Sequence, residues 1–299
     1  MRPDTEHAYK ERVLRTLVYI QNHLDEAITL DELAAVAFFS PYHFHRVFRG
    51  MVGESVMEHV RRLRLERAAH RLKYTDQPVT RIAFDAGYET HEAFTRAFAA
   101  LFGTPPSQFR AAHRTVPAAA APSGVHYAPD GRLDDFQPFQ SGGPPMDVRI
   151  ETVPPMRVAF IRHVGPYIGV GPTWGRLFAW AGPRGLTRVP RMLGLCHDDP
   201  DVTPPDKLRY DACLVVDESV RPEGDVGVQD VGGGEYAVAT HRGPYEALGQ
   251  TYARLSGEWL PASGRELRSS PPFEVYLNSP QTTAPADLLT EIYLPLAAR

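Results

Sequence analysis

The stretch SPYHFHRVF (residues 40–48) returns fifty positions later as THEAFTRAF (residues 90–98), and Gly53 returns as Gly103. In each copy three apolar side chains, Phe44, Val47 and Phe48 or Phe94, Ala97 and Phe98, recur at helical spacing and are read as one buried face. Tyr42, His45 and Arg46 in the first copy, and His91, Glu92, Thr95 and Arg96 in the second, then point outward. Each copy is preceded by a matching short apolar segment, Leu33-Ala34 and Ile82-Ala83, at an offset of 49, so the second copy has one residue inserted in its connecting turn. Gly87 marks the turn in the second copy. A short helix, a tight turn and a second helix form the helix-turn-helix plan, whose second helix enters a DNA major groove.

Outward from the repeat the pattern stays helical. Val13, Leu17, Ile20 and Leu24 make one apolar stripe. Thr29-Leu30-Asp31-Glu32 is a capping box, and Ser40-Pro41 reads as an N-cap followed by proline at the first helical position. A helix of about 19 residues, from near Ser55 to Lys73, joins the copies and spans roughly 28 Å. Successive major-groove faces lie ~34 Å apart, so one chain is long enough to address two of them. Residues 1–114 are therefore expected to be an all-α DNA-binding domain.

This half resembles the DNA-binding domain of the AraC/XylS regulators, on LDELA (30–34), SPYHFHRVF (40–48), VRRLRLERA (60–68), IAFDAGYETHEAFTRAF (82–98) and GTPPSQFR (103–110). The resemblance implies base contacts from Tyr42, His45, Arg46, His91, Glu92 and Thr95. Arg46 and Arg96 hold the matching basic position, and Arg49, Arg61 and Arg110 are candidates for phosphate contacts.

After Arg114 the composition changes. Residues 115–146 are rich in Ala, Pro, Gly and Ser without an apolar period, and read as a linker that cannot bury enough apolar surface to offset its own ordering entropy, with docking of HYAPDGRLDDFQPF (126–139) on a neighbour left open. Beyond it a second repeat begins, with an offset of 78. Ala159, His163 and Gly165-Pro166-Tyr167 return as Ala237, His241 and Gly243-Pro244-Tyr245, and Thr173, Trp174, Arg176 and Leu177 as Thr251, Tyr252, Arg254 and Leu255. Later segments match at 80, Leu193-Gly194-Leu195 with Phe273-Glu274-Val275 and Asp211 with Glu291. Each unit reads strand, turn, helix, strand, strand. Residues 147–299 are expected to be an α+β domain of two pseudo-symmetric units, forming one sheet with two helices and a groove on the axis.

GPYEALGQTYARLSGEWLPASG (243–264), PPFEVYLNSP (271–280) and DLLTEIYLPL (287–296) resemble the GyrI-like, multidrug-sensing domain that binds effectors in some AraC regulators. That resemblance implies a groove for small, often cationic and aromatic compounds, with an acidic anchor at Glu291. Alternation places Glu291 and Tyr293 on one strand face. A carboxylate among aromatic rings suits a delocalised cation, and Tyr167, Trp174 and Tyr276 are the rings expected to help.

Composition narrows the remaining options. The chain has 299 residues, and its net charge of −4 is uneven: residues 1–115 carry 16 Lys/Arg against 14 Asp/Glu, the remainder 16 against 22. The acidic half favours cations. Two cysteines exclude a disulfide framework or a multi-thiolate metal site, and are read as buried thiols. His163 and His241 read as symmetric structural residues rather than metal ligands, and VGGGEY (231–236) as a hairpin turn rather than a phosphate loop. No cofactor or metal is expected. No apolar stretch approaches the ~20 residues of a membrane span, and no apolar signal core opens the chain, so a cytoplasmic location is expected. The expected partners are double-stranded promoter DNA, a small-molecule effector and RNA polymerase. The leading reading is a one-component, non-enzymatic transcription regulator, with the alternative that the second half hydrolyses or sequesters a toxic compound. Whether the linker couples the halves is left open by the sequence.

Overall fold

The computed structural model describes residues 5–112, 119–186, 191–198 and 203–298. Seven helices come first: α1 (Thr5–Asn22), α2 (Leu30–Val36), α3 (Pro41–Val52), α4 (Val56–Tyr74), α5 (Val79–Asp85), α6 (His91–Phe102) and α7 (Pro106–Ala111). Their starts follow local chemistry. Thr29 exchanges capping bonds with Glu32, and Ser55 does the same with Glu58 at the head of α4. Thr90 caps α6 through Ala93 N. Ser40 stands at the N-cap of α3 as expected, but its hydroxyl makes no capping bond, and Pro41 alone shapes that start. Gly53 and Gly103 end α3 and α6 with φ of 80° and 74°, the left-handed conformation that glycine adopts at least cost.

The second half follows as β1 (Val148–Val164), α8 (Gly171–Ala181), β2 (Met192–Cys196), β3 (Arg209–Val215), β4 (Gly227–Arg242), α9 (Leu248–Arg254), α10 (Leu260–Ala262), β5 (Phe273–Tyr276) and β6 (Leu289–Pro295). A π-helical turn, Leu255–Trp259, joins α9 to α10. The strands close in the order β1-β3-β2-β5-β6-β4. That order is what a two-fold relating the repeats requires, since β1, β2 and β3 correspond to β4, β5 and β6. The axis passes between β2 and β5 on one side and β1 and β4 on the other.

Alternation along the strands separates two faces. Val158, Leu193, Leu195, Cys213, Val238, Phe273, Val275 and Tyr293 pack together inside. Ala159, Ile161, Ala212 and Leu214 lie under α8 with Leu177, while Ala237, Ala239, Ile292 and Leu294 lie under α9 with Leu248, Tyr252 and Leu255. The equivalent histidines tie each turn to its helix. His163 bonds Pro166 O and Thr173 Oγ1, and His241 bonds Pro244 O and Thr251 Oγ1. In both copies Nε2 meets a backbone carbonyl and Nδ1 a threonine hydroxyl, so both ring nitrogens are engaged within the chain.

One expectation needs correction, and one question left open by the sequence is answered. The glycines of VGGGEY do not turn a hairpin; they continue β4 opposite Pro154 and Pro155, with Val153 facing Gly234 and Pro155 facing Gly232. All three have positive φ, and a Cβ on Gly232 would stand 3.1 Å from Pro154 O. The described part of the 115–146 segment is a docked strap rather than a free linker; the boundary at Arg114 lies outside the described residues. Val125 and Phe136 are 1% and 4% exposed. Arg62 donates to Val125 O, Tyr127 N to Glu66, Gln21 to His126 O, and Phe139 N to Met51 O, each at 2.6–2.8 Å. Ser141 N and Pro144 O then bond Glu258 and Arg254 of the second half. Charged partners on α4 and the α9 region supply the ordering enthalpy that the strap's own composition lacks.

The two halves share a core. Val13, Leu17, Phe44, Val47, Phe48 and Leu63 belong to the same apolar cluster as Leu248, Tyr252, Leu255 and Ile292. The second helix-turn-helix unit has a separate core of Leu65, Leu72, Ile82, Phe94, Phe98 and Phe109.

Candidate functional site

On the helix face of the sheet, between α8 and α9, the pseudo-two-fold is broken where β2 and β5 pair across the axis. β5 carries Glu274 where β2 carries Gly194. Burial of Phe273 and Val275 on the inner face turns Glu274 and Tyr276 to the helix face. Glu274 is 4% exposed. Its Oε2 accepts from Tyr276 OH at 2.7 Å, and its Oε1 from Tyr252 OH at 3.2 Å and Cys196 Sγ at 3.6 Å. Tyr276 OH meets Tyr210 OH at 3.0 Å, which accepts from Trp174 Nε1 at 3.2 Å. The glycine opposite makes this chain of hydroxyls possible. A Cβ at Gly194 would lie 2.3 Å from Tyr276 OH and 2.6 Å from Tyr210 OH.

Burial raises the Glu274 carboxyl above its ordinary range; the donated bonds from Tyr276, Tyr252 and Cys196, and the charge of Arg46, pull the other way without cancelling it. Burial likewise pushes Tyr252, Tyr276 and Tyr210 well above theirs, so they stay phenolic donors. Rings wall the carboxylate: Tyr245 and Trp174 approach Tyr276 edge-on at 5.5 and 6.0 Å, and Tyr167 lies 5.9 Å from Tyr210. A buried acceptor among ring faces recognises a delocalised cation through charge and ring quadrupole together.

Of the residues expected to bind an effector, Tyr167, Trp174 and Tyr276 are brought together here. Glu291 and Tyr293 are not. Glu291 lies level with Val275 and shares its inner face, opposite the groove, whereas Thr290 is level with Tyr276. Glu291 accepts from Arg149 at 2.8 Å and from Tyr293 OH at 3.0 Å, while Tyr293 stacks on Phe273 in the inner core. The expected anchor is thus in an ion pair with Arg149, on the sheet face opposite Glu274. Its repeat partner Asp211 is engaged in the same way by Arg162, His197 and Gln229. The sequence did carry a signal for Glu274: a lone carboxylate inside PPFEVY, a short apolar strand, where an acid is rarely buried without partners.

The outward residues of the two helix-turn-helix copies have opposite fates. On α6, Glu92 and Arg96 are exposed, and His91 and Thr95 half-buried. On α3, His45 and Arg46 are 4% and 8% exposed, with Tyr42 and Arg49 half-buried. The cover is α9 and the π-turn. The Arg46 guanidinium sits 4.7 Å over the Tyr252 ring, and its Nη1 donates to Tyr42 O. His43 Nε2 meets Arg268 O at 2.9 Å. The expectation that both second helices face DNA therefore fails for α3 in this arrangement, because the groove domain occupies its reading face. Arg61 is exposed, and Arg110 donates to Leu72 O and Gln77 O, holding α7 in place.

Two surface clefts lie elsewhere, one beside Trp180, Arg184 and the 217–223 loop, the other beside Arg64, Arg71, Arg81 and Asp85. Neither reaches Glu274. Among the described residues no group of three His, Cys, Asp or Glu is placed to hold a metal. Among the described residues no helix is long and apolar enough to cross a membrane.

The profile of the GyrI-like small molecule binding domain matches residues 146–297, and that of a helix-turn-helix domain matches residues 33–112. The probable transcriptional regulator YgiV of Escherichia coli is 32% identical over 156 residues, covering 51% of this chain and 97% of YgiV. The uncharacterized HTH-type transcriptional regulator YbfP of Bacillus subtilis is 40% identical over 102 residues, which is 34% of this chain and only 35% of YbfP. The crystal structure of the EcmrR C-terminal domain matches 52% of this chain and 99% of its own, at 20% identity and a TM-score of 0.42.

Proposed function

The chain belongs to the family of GyrI-like small molecule binding domains, and from that premise we propose that it is a one-component transcription regulator. Residues 1–114 bind promoter DNA, 115–146 strap the halves together, and the groove of residues 147–299 binds a small cationic aromatic effector that modulates transcription by RNA polymerase in the cytoplasm. Glu274 is the anchor in place of Glu291, with Tyr252, Tyr276, Trp174, Tyr167 and Tyr245 as the aromatic surround. On DNA, His91, Glu92, Thr95 and Arg96 read one groove segment, and Tyr42, His45, Arg46 and Arg49 the next once α3 is free. The observation that carries this reading is the Glu274 carboxylate, buried and held by tyrosine hydroxyls beside the axis of a duplicated domain that is joined to a DNA-binding fold.

The test uses the full chain, tetraphenylphosphonium as probe cation, and DNA from upstream of the chain's own gene. Calorimetry is expected to give binding that Glu274→Gln weakens and Glu291→Gln leaves unchanged, and the cation is expected to shift the mobility of the protein–DNA complex. No binding, or binding indifferent to Glu274→Gln, overturns the effector site. A second reading, hydrolysis, draws support from the raised Glu274 carboxyl, since a base is most effective when its pKa nears the working pH. It predicts loss of the parent mass of a bound electrophile, and a bound compound recovered intact argues for sensing.

A further inference from the structure

We propose that α3 is the internal occupant of the effector groove, Arg46 standing where a ligand's cation binds, so that effector binding and release of the first helix-turn-helix unit are one event. This rests on the groove reading above and adds the sign of regulation.

Three observations carry it. The first is the place of Arg46. Its guanidinium lies over Tyr252, and the hydroxyl of that same tyrosine donates to Glu274. The resident cation thus satisfies the ring and offsets the carboxylate as a bound ligand would. The second is the depth of the docking. One turn beyond Arg46, Gly50 crosses Gly257 of the π-turn with backbones in contact. A Cβ on Gly50 would lie 2.3 Å from Ala253 O and 2.7 Å from Gly257 Cα, and one on Gly257 would lie 2.1 Å from Gly50 C. Such an approach admits no side chain on either helix. The third is the internal control supplied by the duplication. The position equivalent to Gly50 is Ala100 on α6, which is exposed, as is Arg96, the equivalent of Arg46. A glycine within a helix is less favourable than alanine. The first copy carries that cost only where the groove domain presses on it.

Without effector, α3 is sequestered and only α6 is free to read DNA. A cation that takes the place of Arg46 displaces the guanidinium from Tyr252, α3 lifts off the π-turn, and both units engage DNA. Effector binding therefore raises DNA affinity and lengthens the contacted site. By linkage, DNA raises effector affinity by the same factor. The apparent affinity for effector is lowered by the fraction of chains in which the groove is plugged.

The experiment follows arginine accessibility in the full chain by phenylglyoxal modification and peptide mass spectrometry, with Arg96 as the internal standard. In the free protein Arg46 is expected to react about tenfold or more slowly than Arg96, as for a site exposed only by local opening. Saturating tetraphenylphosphonium should bring the two rates close together. Gly257→Leu should do so without any cation and should bind the cation more tightly than wild type. Arg46→Met, which keeps the stem and removes the charge, should also tighten cation binding and serves if Gly257→Leu does not fold. Calorimetric binding with Arg46 still protected overturns the plug and leaves the groove standing. Weaker cation binding in Arg46→Met also overturns it. Absence of cation binding in wild type and both variants overturns the groove reading, and the plug with it.

Discussion

Replacing Glu274 by glutamine is expected to weaken the groove and strengthen the fold at the same time. The carboxylate is 4% exposed, and burial raises its pKa despite the tyrosine bonds and Arg46. The folded state therefore holds its proton to higher pH than the unfolded chain, so stability falls as pH rises from the ordinary carboxylate range through the folded value, and the penalty is complete above it. An amide of the same shape escapes this. Its nitrogen, placed at Oε2, donates to Tyr276 OH, which turns its own proton to Tyr210 OH, while Tyr252 still donates to the remaining oxygen. The net gain at neutral pH is on the order of 1–2 kcal/mol, the part of the desolvation cost that the hydrogen bonds did not offset. Binding moves the other way. Removing a charge-assisted interaction from a buried site costs about 1.5–3 kcal/mol, or roughly ten- to a hundred-fold in tetraphenylphosphonium affinity. Urea titrations across pH 4 to 8 read the first effect, and calorimetry reads the second. The two stability curves should coincide at the acid end and separate as pH rises. A variant less stable than wild type at neutral pH, or one that binds the cation unchanged, refutes the argument.

Asp211 is the opposite case. Burial alone would raise it, but His197, Arg162 and Gln229 outweigh burial and hold it far below the ordinary range, so its contribution is present at neutral pH and lost as acid protonates it. Asp211→Asn should cost about 2–3 kcal/mol at pH 7, Arg162 being half in solvent, with a difference from wild type that shrinks toward pH 3 in denaturant melts. Gly194→Ala pushes a methyl against Tyr276 OH and Tyr210 OH and should destabilise by about 1–3 kcal/mol while lowering cation affinity; unchanged melting and binding would sink the spacing argument. Arg96→Ala should weaken promoter binding with or without tetraphenylphosphonium, whereas Arg46→Ala should abolish the cation's enhancement. Equal effects in mobility-shift titrations would mean that α3 is never withheld from DNA.

The fold was legible where chemistry is local or repeated. Thr29-Leu30-Asp31-Glu32 set a helix start by its own side chains, and the offsets of 50 and 78–80 gave both duplications and the two-fold that relates the strands. What escaped depended on which face of a closed sheet a residue occupies. Glu291 and Glu274 both alternate with apolar neighbours, and only the register pairing Val275 with Glu291 decides that one faces inward and the other toward α8 and α9. Docking of the strap stayed open in the sequence because its partners, Arg62, Glu66 and Glu258, lie far away along the chain. Nothing in 40–48 marks α3 as covered, because the covering residues are on α9 and the π-turn.

Each duplication builds a symmetric scaffold, and the function proposed here sits at the few positions where the copies differ. In the sheet, the strand pairs, the Gly-Pro-Tyr turns and the histidines that brace them are kept in both units, while Gly194 faces Glu274 across the axis. Two carboxylates there would stand side by side in a dry groove, repelling each other and forcing one to neutralise. Two glycines would leave no anchor. In the helical half, the apolar faces of α3 and α6 are kept, while Gly50 faces Gly257 where Ala100 faces solvent. These asymmetries converge: the helix that glycine lets down onto the π-turn carries the arginine that stands over Tyr252, and Tyr252 holds the one carboxylate. A ligand that fits the groove therefore meets an intramolecular competitor of its own charge, and the free energy of displacing it is what couples the small molecule to DNA.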